Sequence, residues 1–291
     1  MGAKIAALKG KTERGKMKNK KTIYILLTVV LISTYMDLAW TAAGMTSPYY
    51  YNMVMGAIFT CFALLHGSLY MGRKSIFSLA ALTFVISFIM EYAGVKTGLI
   101  YGEYHYGNVL GMKILDTVPL LIPLSWFMFI YVSTVTVDAA FGGRYAGWAA
   151  PFLFAMLDSA AMTALDVLID PIWVTRGTWI WTAVQSLPAG SVFYGIPVQN
   201  YFGWLLTTII IFVPYRIIFF RNKAHLAIRD REFFLPCLIY ASIITVGCIQ
   251  SWAVLANTGI IFVALMTGGV LSLAALTGFL GCRSNQLKSN G

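Results

Sequence analysis

Apolar residues fall into eight runs, approximately 23–43, 53–70, 76–94, 118–137, 148–168, 202–220, 233–255 and 259–280, separated by stretches that hold most of the charge. Each run is about 20 residues, long enough for a helix to cross a hydrocarbon core of about 30 Å. A lone segment in lipid must satisfy its own backbone hydrogen bonds, so helix is the state expected of every run. The pattern predicts an all-α fold, a polytopic transmembrane helical bundle of about eight spans. Residues 1–22 would form a basic cytoplasmic tail, 23–282 one transmembrane domain with a catalytic core at about 85–205, and 283–291 a second cytoplasmic tail.

Composition removes the soluble alternative. The chain is 59% apolar and 11% charged, against about 25% charged in soluble domains. The net charge of +10 would suit nucleic acid if the basic residues shared one face, but they sit between the runs and read as topology signals. With the N-terminus inside, eighteen lysines and arginines fall on the cytoplasmic side, and Lys96, Lys113 and Arg176 fall opposite. The positive-inside rule then puts both termini in the cytoplasm. The expectation is an integral protein of the cytoplasmic membrane, with the lipid bilayer as partner and no nucleic acid. The first 22 residues hold eight Lys/Arg and little apolar content, which predicts a disordered tail drawn to anionic lipid. No small-residue cleavage pattern is clear, so the first run reads as a retained span.

Two long loops, 95–117 and 169–201, fall on the outer side and are rich in glycine and aromatics. Both are expected to fold back at the interface, where Tyr and Trp are favoured. The stretch EYAGVKTGLIYGEYHYGNVLG from Glu91 to Gly111 reads as a folded pocket lid. Its glycines permit tight turns, and Tyr101, Tyr104 and Tyr106 supply ring faces and hydroxyls. Four cysteines without a CxxC pair imply neither disulfide nor zinc. Three histidines without metal-ligand spacing give no expected metal, and the absence of GxGxxG gives no expected redox cofactor.

Acids inside spans are expensive and mark function. Asp37, Glu91, Glu103, Asp116, Asp166 and Asp170 gather in the outer half, where basic residues are scarce. Asp166 and Asp170 lie about 40° apart on one helical face, with Asp158 about 80° away. Pro171 would mark the helix exit beside Asp170. Glu91 has the equivalent place on the third span. Near helix C-termini and out of water, these three suit general acid chemistry. Structural alternatives stand beside this: Asp166 and Asp170 bonding neighbouring helices, Glu91 pairing with Lys96, and Asp37 bonding Thr34 or Thr41. Glu103 and His105 are secondary acid/base candidates.

The blocks EYAGVKTGLIYGEYHY, VPLLIPLSWFMF, LDVLIDP, TWIW and YGIPVQNYFGW, in that order over about residues 85–205, resemble the carotenoid hydratase family. That family includes bacterial hydratases of γ-carotene and lycopene and archaeal bisanhydrobacterioruberin hydratases. The resemblance implies addition of water to the terminal isopropylidene double bond of a carotenoid ψ-end, without redox cofactor, with a carotenoid or isoprenoid polyene as substrate and other carotenoid biosynthesis enzymes as possible neighbours. Such chemistry needs an acid for the alkene, surroundings that tolerate a tertiary carbocation, and a water. Glu91, Asp166 and Asp170 can supply proton and base, while Tyr101, Tyr104, Tyr106, Trp173, Trp179, Trp181, Tyr194 and Asn200 are the substrate-binding candidates. An interfacial belt is the alternative for the tryptophans. Two other classes compete. DVLID has the DxxxD spacing with which intramembrane prenyltransferases hold diphosphate through magnesium, and intramembrane acids also mark proton-coupled transporters.

Overall fold

The computed structural model describes residues 2–141, 147–219, 231–255, 259, 261 and 265–289. Helices follow the apolar runs: α1 (Gly2–Ala42), α2 (Tyr49–Gly67), α3 (Arg73–Thr97), α4 (Leu121–Phe141), α5 (Ala150–Thr175), α6 (Val198–Phe219), α7 (Leu235–Leu255) and α8 (Val270–Ser289). Among the described residues, six helical stretches are long and apolar enough to cross a membrane. The protein is an all-α helical membrane protein. Arg144, Arg221, Lys223 and Arg229, four of the basic residues behind the topology argument, and part of the last apolar run lie outside the described residues.

One of the six stretches, Tyr49–Thr97, has 49 residues. A straight helix of that length would be about 74 Å long, more than twice the hydrocarbon core. It breaks at Gly72, whose φ of +89° is open to glycine and strained for other residues. Contacts with α4 show that the chain reverses there. Gly56 packs on Leu121 and His66 bonds Tyr131, so α2 runs parallel to α4. Glu91 bonds Trp126 near the start of α4, while Ser75 bonds Tyr215 beside Arg216, which reaches Asp138 near its end. α3 is therefore antiparallel to α4.

Burial orders the bundle. The best apolar window of α4 is 83% buried and that of α1 17%, so α4 is central and α1 peripheral. A helix apolar on every side belongs inside. Arg216, one of the eighteen basic residues assigned to the cytoplasmic side, is buried in the bundle: its guanidinium bonds both oxygens of Asp158 at 2.6 and 2.8 Å and Asp138 at 2.8 Å. Asp158 is thereby committed to a structural triad and leaves the acidic face assigned to it. The tail also departs from expectation, because helix α1 extends back to Gly2.

Between the helix ends, the long loops hold short strands and two single 3-10 turns, Asn108–Leu110 and Val184–Ser186. β1 (Tyr104–Tyr106) pairs antiparallel with β4 (Trp179–Trp181), in the register Tyr104↔Trp181, His105↔Ile180 and Tyr106↔Trp179. Smaller ribbons join β2 (Lys113–Ile114) to β3 (Val118–Pro119), and β5 (Val192–Phe193) to β6 (Ile196–Pro197). The run expected to begin at 118 therefore starts as strand, with helix from Leu121. Gly107 lets the loops meet, since a Cβ there would lie 2.1 Å from the Gly177 carbonyl oxygen. Pro171 does not end α5: the helix continues to Thr175 and stops at Arg176, with Gly177 at φ +67°. Losing the hydrogen bond to the Val167 carbonyl is tolerable in a well-packed intramembrane helix.

Candidate active site

Four helices and one ribbon converge on three carboxyls. α3 presents Glu91, α5 presents Asp166 and Asp170, α6 adds Asn200 and α4 adds Trp126; the three acids are 4%, 1% and 2% exposed. β1 contributes through its period of two. Tyr104 and Tyr106 point inward and His105 outward. Both inward phenols donate to Glu91 Oε2, Tyr106 at 2.6 Å, and the Trp126 indole N–H donates to Oε1 at 2.9 Å. Glu91 thus accepts from three donors. Burial first, then the adjacent Glu91 charge, pushes the Tyr104 and Tyr106 hydroxyls well above the usual phenol range, so they stay protonated and remain donors.

Tyr101 fills the gap between α3 and α6. Added Cβ atoms at Gly94 and Gly203 would meet its ring at 2.6 and 2.5 Å, so both glycines are needed for it to fit. Its hydroxyl bonds Thr207 at 2.8 Å, and its carbonyl accepts from Trp181 Nε1 at 2.9 Å. Trp181 thereby ties β4 to the end of α3.

Asp166 and Asp170 share a face of α5, four residues apart, and are bridged by one amide: Asn200 Nδ2 donates to Asp166 Oδ2 at 3.2 Å and to Asp170 Oδ2 at 2.7 Å. Among the described residues, no N–H or hydroxyl donates to the buried Asp166 Oδ1, and the Asp166 and Asp170 carboxyls lie within hydrogen-bond reach of each other. Among the described residues, none of the three acids is in an ion pair.

The acids stand on the wall of a cavity of about 250 Å³, shared with Tyr101, Tyr104, Tyr106, Trp126, Trp173, Trp179, Trp181 and Asn200. Trp173 and Trp179 stack at 5.9 Å with a 10° interplanar angle. One face each of α1, α2 and α7 closes the other side.

Most sequence-derived candidates therefore meet in one place, and three do not. Glu103, His105 and Tyr194 are exposed and lie off the cavity wall. The strand alternation that turns Tyr104 and Tyr106 inward turns 103 and 105 outward, and Tyr194 sits in the β5–β6 turn at φ +53°. The pairing weighed for Glu91 fails, since Lys96 lies over the Tyr92 ring. At Asp37 the Thr41 hydroxyl does bond, donating to the backbone carbonyl, while the carboxylate takes Arg176 and Gln250. Trp126 and Thr207 were missed. The signal for Trp126 was a tryptophan within an apolar run, whose N–H needs a partner when buried. Among the described residues, no three His, Cys, Asp or Glu side chains group as metal ligands would.

Residues 48–273 match the family model described as carotenoid biosynthesis protein. The chain belongs to this family. It is also similar to the bisanhydrobacterioruberin hydratase of Haloarcula japonica, 33% identical over 167 residues that make up 57% of this chain and 53% of that protein. The match spans about half the length of that relative. No solved structure matches the chain. The family match extends the resemblance on both sides of 85–205, taking in α2 and α7. It contains every residue of the acid cluster, whereas α1, which lines the cavity through Ser33, Thr34 and Asp37, precedes it.

Proposed function

We infer that the protein is an intramembrane hydratase that adds water to the terminal ψ-end double bond of a carotenoid by acid catalysis, without a redox cofactor. The observation that carries this is the placement of three buried carboxyls on the wall of a cavity lined mostly by apolar and aromatic side chains, with Asn200, Gln250 and the Arg176-paired Asp37 among its polar members. Family membership and the printed activity of the relative point the same way.

In this mechanism the Asp166–Asp170 pair, close together and without a paired cation among the described residues, holds a proton between the two carboxyls. One of them protonates the alkene carbon nearer the chain, leaving a tertiary cation at the terminal carbon. Glu91 is assigned the part of the facing anion, as the carboxyl on which three fixed donors converge. The aromatic faces around it add cation–π stabilisation. Water adds to the cation, and its surplus proton returns to the aspartate pair, which restores the acid.

Topology completes the proposal. Eight spans with both termini cytoplasmic place the site near the outer face of the cytoplasmic membrane. A 250 Å³ cavity is below the range of about 300–1,000 Å³ for sites that enclose drug-sized ligands, so it takes one end of the polyene while the remainder stays in lipid. Expression in a lycopene-making host, with pigments analysed by mass spectrometry, tests the activity: a gain of one water at a chain end is expected, and pigments without that gain refute it. Activity is expected to persist in EDTA. Loss on chelation, restored by magnesium, would favour the DxxxD prenyltransferase.

A further inference from the structure

Hydration needs a water as much as an acid, and two atoms indicate where it sits. Among the described residues, ten buried side-chain polar atoms lack a hydrogen-bond partner. Two of the ten belong to side chains on the cavity wall, Asp166 Oδ1 and Trp179 Nε1. They are complementary: a carboxylate oxygen accepts, and an indole N–H only donates. Buried polar atoms rarely stay unsatisfied in a native fold, and a polar site with room supplies its missing partner as an ordered water.

The surroundings fix both atoms. Asp166 is held by Asn200 through its other oxygen. Trp179 is held by its backbone pairing with Tyr106 and by stacking on Trp173, which follows Asp166 and Asp170 on the same face of α5 at the spacing of 166, 170 and 173. Trp179 and Trp181 also border a second cleft on the loop side, with Thr182 and Gln185 among its walls. β4 is therefore the partition between a polar cleft and the acid-lined cavity.

We propose that Asp166 Oδ1 and Trp179 Nε1 hold the reacting water, admitted from the loop-side cleft across β4 while the polyene enters from lipid. This rests on the hydratase function above and assigns separate roles within it. Asp170 gives its proton to the alkene. The water oxygen, oriented by the Trp179 N–H, forms the new C–O bond as its own proton passes to Asp166. Proton transfer within the Asn200-bridged pair restores the starting state, so atoms and charge balance and no oxidant or reductant is needed.

The test separates protonation from water capture. In D2O, a cation that is not captured loses a proton and returns as alkene carrying deuterium. Trp179→Phe keeps the stacked ring but removes the N–H. Hydrated product should fall by about tenfold or more, as for loss of one positioned donor, while the ratio of deuterated recovered alkene to hydrated product rises. Trp179→His, which can present a ring N–H, should bring that ratio back towards wild type. If Trp179→Phe does not accumulate in membranes, Trp179→Leu is measured in the same way. An unchanged ratio in the variant, whether total turnover falls or not, overturns the water subsite. Absence of hydrated product from the wild-type protein would instead refute the hydratase function itself.

Discussion

The three donors on Glu91 allow a prediction that is independent of the reaction. Tyr104 and Tyr106 share one acceptor, Oε2, and Trp126 holds the other. Tyr104→Phe or Tyr106→Phe removes one hydrogen bond to a charged group, worth about 1.5–3 kcal/mol, and leaves Oε2 with its second phenol. The double variant strips Oε2 of both protein donors at a residue 4% exposed. It therefore adds the desolvation cost of an unsatisfied buried charge, which exceeds the about 1–3 kcal/mol of a neutral group. The expected outcome is non-additive: each single loses about 2 kcal/mol, and the double loses at least about 1 kcal/mol more than their sum. Unfolding of the purified protein in mixed micelles by an anionic denaturing detergent measures the cycle. Additivity within about 0.5 kcal/mol, the scatter of independent sites, would show that the two phenols do not share an acceptor.

Three further outcomes follow. Asp166→Asn, Asp170→Asn and Glu91→Gln should each accumulate in membranes yet lower hydration by about a hundredfold or more, read as hydrated pigment per protein; near wild-type rates in all three would refute the acid assignment. Arg216→Met strands Asp138 and Asp158 as buried carboxylates and should cost about 3–5 kcal/mol, measured by the same detergent unfolding, whereas replacing all three by apolar residues of similar volume should recover much of it. Met112→Cys, at a position 62% exposed in the first long loop, should react with an impermeant maleimide from outside intact cells, and labelling only after the inner face is opened would invert the proposed topology.

Much of the site was legible in the residues because lipid makes polar groups conspicuous. Glu91 and Asp166 stand out in apolar runs, Asp170 lies just past the end of one, and period alone places the two aspartates on one face. The same rule misled at Asp158 and Arg216. Both are intramembrane charges, but one neutralises the other, and a pairing across 58 residues between α5 and α6 leaves no local trace. Pro171 was over-weighted, since a proline flanked by packed neighbours does not have to end a helix. The outward turn of Glu103 and His105 was hidden for another reason. Strands of three residues are too short for alternation to register beside glycines, so β1 and β4 read as loop, and only their pairing decides which side chains face in.

That pairing has a mechanical consequence. β1 hangs from α3 and β4 from α5, and the backbone bonds between Tyr104–Tyr106 and Trp179–Trp181 stitch the two connections into one roof over the acids. Neither loop can lift alone without breaking the ribbon, and Tyr104, Tyr106, Trp179 and Trp181 would leave the cavity together. Amide hydrogen exchange should show this as a single opening unit, with the two strands losing protection at one common rate while the helix ends that carry them remain closed. A substitution at Gly107, where the strands' flanks nearly touch, would then loosen both halves of the roof from a position that contacts no acid.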